Sequence, residues 1–111
     1  MQSCFVDETE SALRNAGKHT LRAERECRRW EEGEGDPDQV GLSAELAVRA
    51  AQGALTALGD DGLAAAGGDH QSRRGRLACA AWLLLLMGTD EEGTSDDLQQ
   101  AGTLFLKAAD A

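Results

Sequence analysis

A chain of 111 residues has the size of one domain, and its core must rest on Leu and Ala, because it holds only two Phe, two Trp and no Tyr. Three Val and no Ile make β-branched residues scarce, so an all-α fold is expected. A net charge of −9, from 20 acidic and 11 basic side chains, argues against a broad nucleic-acid surface, which needs clustered Lys and Arg.

The thiols Cys4, Cys27 and Cys79 are odd in number and widely spaced, which fits neither a disulfide framework nor a C-x-x-C metal or redox pattern. Reduced cysteines in a cytoplasmic or nuclear compartment are expected. The opening residues MQSCFVDETES lack a basic stretch followed by an apolar run, so no secretory signal is read there.

The first predicted helix runs from about Phe5 to Glu32. Its less polar positions, Val6, Thr9, Leu13, Ala16, Thr20, Ala23, Cys27 and Trp30, alternate steps of three and four and form one seam. Asp7 is the expected N-cap, and Glu10 with Arg14, Arg22 with Glu26, and Glu24 with Arg28 are spaced to pair across a turn. The seam is poor in large apolar groups, so a covering surface is expected from elsewhere. Residues 31–41, EEGEGDPDQVG, combine three Gly, the only Pro and five acids and read as a flexible acidic linker between this helix and the rest.

A second helix is predicted from Leu42 to Leu58, with Ser43 as a cap and Gly59 as the left-handed residue after its end. Asp60 opens a short turn that Gly67 and Gly68 break, and Asp69 caps the next helix. That helix holds RRGRLACAAWLLLLMG, Arg73 to Gly88, the one basic spot in the chain followed by twelve uncharged residues. Leu77 to Met87 would span about 16 Å as a helix, well short of the roughly 20 residues a bilayer needs, so it is read as a packing helix that neighbours must surround. Ser95 is expected to cap a last helix, with Asp96 and Asp97 early, Lys107 late, and Leu98, Ala101, Leu104, Phe105 and Ala108 as its apolar face.

Residues 1–111 thus read as a single domain, a small bundle of four to five helices arranged as antiparallel hairpins. Within residues 77–108, Ala80, Ala81 and Leu84 ahead of Gly88, then Ala101, Phe105 and Ala108, resemble the two helices of a tetratricopeptide-type unit. What that resemblance implies is a protein-binding scaffold with no catalysis.

Catalytic chemistry has little to work with. His19 and His70 are the only histidines, and neither follows a Glu by three residues as a di-iron bundle requires. The acidic turn around residues 90–97 lacks the alternating ligands of a calcium loop, so no metal and no cofactor is expected. The leading expectation is a protein–protein interaction module or adaptor, binding another protein or a second copy of itself. Leu13, Ala16, Trp30, Arg73, Arg74, Arg76 and Phe105 are the expected partner-binding residues, and no residue is assigned as catalytic. The alternative is a small helical nuclease using His19 or His70 with a nearby Arg. Arg14 and His19 resemble the Arg-first spacing of the HEPN type.

Overall fold

The computed structural model describes residues 8–59, 72–90 and 92–111, and among them there are four helices and no strand. They are α1 (Glu8–Glu31), α2 (Pro37–Ala57), α3 (Arg73–Gly88) and α4 (Ser95–Asp110). The fold is a small all-α bundle. The expected start of the first helix with its Asp7 cap, the turn at Asp60, the Asp69 cap, Cys4 and His70 lie outside the described residues.

α1 follows its seam closely. Leu13, Ala16, Thr20 and Ala23 are buried, and the Thr20 hydroxyl is satisfied by donating to the Ala16 carbonyl at 2.7 Å. Glu8 and Glu10 sit in the first turn and Arg28 and Arg29 in the last, as the helix dipole prefers. Two of the expected turn pairs form, Arg14 with Glu10 at 3.3 Å and Arg28 with Glu24 at 2.8 Å, whereas Glu26 is 3.9 Å from Arg29.

The expected linker contracts to residues 32–36. Its Glu34 and Gly35 amides both return to the Arg29 carbonyl, and Gly33 takes the left-handed conformation at φ +81°. α2 then begins at Pro37 rather than Leu42. Asp36 is extended and its carboxylate accepts from the Asp38 amide at 2.9 Å, while Pro37 occupies the first turn, where a missing N–H costs no hydrogen bond. Ser43 is therefore no cap. It lies buried inside α2 and donates to the Gln39 carbonyl at 2.8 Å. Gly59 does have the expected left-handed backbone, φ +67°.

Ser72 caps α3 by accepting from the Gly75 amide at 2.9 Å. Thr94, one residue before the expected Ser95, caps α4. Ser95 instead opens the helix, buried, and its bonds reach across the molecule.

Three contacts give the topology. Thr9 near the start of α1 donates to the Ala57 carbonyl at the end of α2, Arg14 meets Asp110, and Arg74 meets Ala108, so α1–α2, α1–α4 and α3–α4 all run antiparallel. In space the order is α2, α1, α4, α3, with α1 and α4 in the middle and α2 touching α3 only marginally. Among the described residues the bundle is therefore open between α2 and α3.

The central pair interlocks through two glycines. A Cβ on Gly17 would lie 2.7 Å from Leu106 Cδ2 and 3.2 Å from the Gly102 carbonyl oxygen; one on Gly102 would lie 2.6 Å from Leu21 Cδ2 and 3.3 Å from the Gly17 oxygen. Each leucine therefore covers the other helix's glycine, and the backbones come close together. Phe105, Leu13 and Leu85 are the largest fully buried apolar side chains of the core. Among the described residues no helix is long and apolar enough to cross a membrane.

Candidate functional site

The four helices leave a groove of about 370 Å³ at one end, where the last turns of α1 face the first turns of α2 and the α3–α4 turn. Ala23 and Leu98, both buried, form its floor, and Val40 and Ala44 of α2 form one wall. Thr89, Asp90 and Gly93 form the opposite wall. Trp30 stands at the mouth, 50% exposed, although a Trp in a folded chain is usually far more covered. Glu31 and Asp90 are the charged residues that line the groove, so its rim is acidic.

The groove exists because α2 and α3 do not close on each other at this end. The Gly35 backbone packs so tightly on the last turn of α1 that a Cβ there would fall 2.7 Å from the Trp30 nitrogen. This tight turn sets α2 alongside α1 soon after Trp30, and the indole is left half exposed at the opening.

Glu31 has a second task. Its two carboxylate oxygens accept from the Ser95 amide at 3.1 Å and the Ser95 hydroxyl at 2.7 Å, which caps the N-terminus of α4 from 64 residues away. These two bonds, with the hydroxyl contribution the larger, hold Glu31 below the usual carboxylate range. The Cys27 thiol points at the same carboxylate, 3.8 Å away. Burial first, and then the negative charge of Glu31, push that thiol up, so it stays protonated and is a poor nucleophile.

The residues expected to meet a partner separate into three groups. Leu13, Ala16 and Phe105 are fully buried, so they belong to the core and not to a docking surface; α2 and α4 cover the first-helix seam from within the chain. Arg74 is likewise engaged internally. Its guanidinium donates to the Ala108, Ala109 and Ala111 carbonyls at 3.0, 3.0 and 3.3 Å and caps the C-terminus of α4. Trp30, Arg73 and Arg76 remain exposed, but Trp30 lines the groove while the two arginines are at the far end of α3.

Trp82 is half-buried against the core, and Cys79 is a buried thiol. Arg14, the partner of His19 in the nuclease spacing, is held between Glu10 and Asp110. Among the described residues no three His, Cys, Asp or Glu side chains gather as a metal ligand set. Val40, Ala44 and the Glu31–Ser95 bond escaped the sequence reading: Val40 lies in the segment whose composition imitates a linker, Ala44 sits just beyond it on the second helix, and the bond joins residues 64 apart that no local pattern connects. The Asp36-Pro37 pair was the available signal, being a cap followed by the residue favoured at the first helical position.

Comparison of the chain with protein-family models, curated proteins and solved structures finds no match.

Proposed function

We propose that this chain is a non-catalytic protein-binding module that takes one face of a basic amphipathic peptide or helix into the groove beside Trp30. The observation that carries the reading is a half-exposed indole set between an apolar floor and an acidic rim. An apolar side chain of the ligand would fill the space over Ala23 and Leu98, and a neighbouring Lys or Arg would face Trp30, Glu31 and Asp90 through cation–π and charge contacts. The net charge of −9 adds long-range attraction for such a ligand. The protonated Cys27 supports binding rather than covalent chemistry at this place. The likeness of α3 and α4 to a tetratricopeptide hairpin, and a cytoplasmic or nuclear location in which Cys27 and Cys79 stay reduced, belong to the same proposal.

Trp30 and Trp82 are the only tryptophans, so a Trp82→Phe background isolates the indole at the groove. Titrating that protein with a Lys/Leu amphipathic helical peptide should shift its emission, a Glu/Leu peptide should not, and Trp30→Ala should weaken binding of the Lys/Leu peptide, followed calorimetrically, by about tenfold or more. Equal response to both peptides, or to neither, would sink the reading.

A further inference from the structure

α3 buries one side against α4 and leaves a second seam facing outward. Arg73, Arg76, Ala80, Leu83, Met87 and Asp90 follow one another in steps of three, four, three, four and three, and all six are exposed. Leu83 is 52% and Met87 56% exposed, with Leu86 beside them at 41%. Alternating steps of three and four are the spacing by which two helices interlock side by side. The sequence ArgArgGlyArg at its start and the absence of any acid in α3 set it apart in a chain of net charge −9.

The seam is graded along its length: two arginines, a small residue, two large apolar residues, then Asp90 with exposed Glu92 just beyond. Reversed, it complements itself. In an antiparallel pair centred between Ala80 and Leu83, Ala80 of each copy meets Leu83 of the other, so small faces large. Arg76 lays its aliphatic stem along Met87 of the other copy, and Arg73 meets the other copy's Asp90. The two helix dipoles also oppose each other favourably. An acidic partner helix would answer the arginines yet repel Asp90 and Glu92, and a basic one would do the reverse. A reversed copy of the same seam answers both ends.

We propose that the outer seam of α3 binds a second copy of this chain in an antiparallel, two-fold-symmetric pair. Such an interface is isologous and needs no partner of another kind. One helix face is smaller than the roughly 800 Å² per partner of a stable complex, so the pair is reversible and weaker than about 1 μM. Its apolar centre is separate from the groove, which neither Leu83 nor Met87 lines; Asp90, at the end of the seam, is the residue the two share.

Sedimentation velocity of the whole chain from about 1 μM to about 1 mM tests the pairing. The mass should rise to two chains and stop there. Leu83→Glu should raise the dissociation constant by more than about tenfold. Arg73→Glu, which sets a Glu against Asp90 of the other copy, should weaken the pair several-fold, and adding Asp90→Arg to it should restore the affinity because the ion pair is rebuilt in reverse. All these positions are exposed, and Trp30→Ala should leave the pairing unchanged. A monomer throughout the range, a dimer indifferent to Leu83→Glu, or a double swap as weak as the single one would overturn the proposal.

Discussion

The middle and the open side of this bundle use similar residues to opposite ends. At the α1–α4 contact, glycine and alanine let two backbones approach until Leu21 and Leu106, themselves partly buried, lie over each other's helix, and Leu13 and Phe105 are fully buried. On α2 and α3, alanine lines the inner faces just as densely, but Leu42, Leu46, Leu83, Leu86 and Met87 are left between 37% and 56% exposed. Small residues bring helices together, and it is the large residues that then show whether a neighbour exists. The central pair holds the fold together, whereas the outer pair leaves large apolar side chains exposed.

Three substitutions would break or sharpen this contrast. Phe105→Ala removes the largest fully buried side chain of the middle and should cost about 3–5 kcal/mol, read from the urea midpoint, with loss of cooperativity if the central pair separates. Gly17→Val places a branched side chain against Leu106 and the Gly102 carbonyl; Leu106 has room to swing, but the backbone oxygen does not, so a loss of about 2–3 kcal/mol is expected. A value near zero would mean that the two helices move apart without cost and that the close approach is not a source of stability.

The smallest effect belongs to Glu31→Gln, at the point where the middle meets the groove. Glu31 is exposed and screened, so its cap of α4 should be worth only about 0.5–1 kcal/mol. Because Ser95 lowers its folded value below that of the unfolded chain, this contribution is present above the ordinary carboxylate range and is lost as the pH falls through the folded value. Thermal melts of the two proteins should therefore differ at pH 7 and converge below about pH 4. A gap that persists in acid would assign the effect to packing rather than to charge.

Helix number and the inward faces were legible because each rests on a local period: the Leu13, Ala16, Thr20, Ala23 seam is buried as spaced, and so are Ala101, Phe105 and Ala108. What escaped depends on distance. Nothing local marks Leu13 and Ala16 as already covered, because Phe105 and its helix arrive some 90 positions later, and the same holds for Arg74, whose acceptors are 34 to 37 residues away. Composition misled at residues 37–41, where Pro and Asp announce a helix start as readily as a linker. Trp30 was visible as an odd large residue ending a small-residue seam, but its groove needs α2 and the α3–α4 turn in place.

The helix synthesised last among the described ones sits in the middle, beside the one synthesised first. Hairpins α1–α2 and α3–α4 are closed by neighbours in sequence, but the α1–α4 contact joins residues from 64 apart, Glu31 and Ser95, to 96 apart, Arg14 and Asp110. Closing so long a loop is the entropically slow part of such a topology. Docking of two preformed hairpins through Gly17 and Gly102 is therefore the natural final event of folding, and until it happens α1 leaves in solvent the part of its seam that α4 will cover.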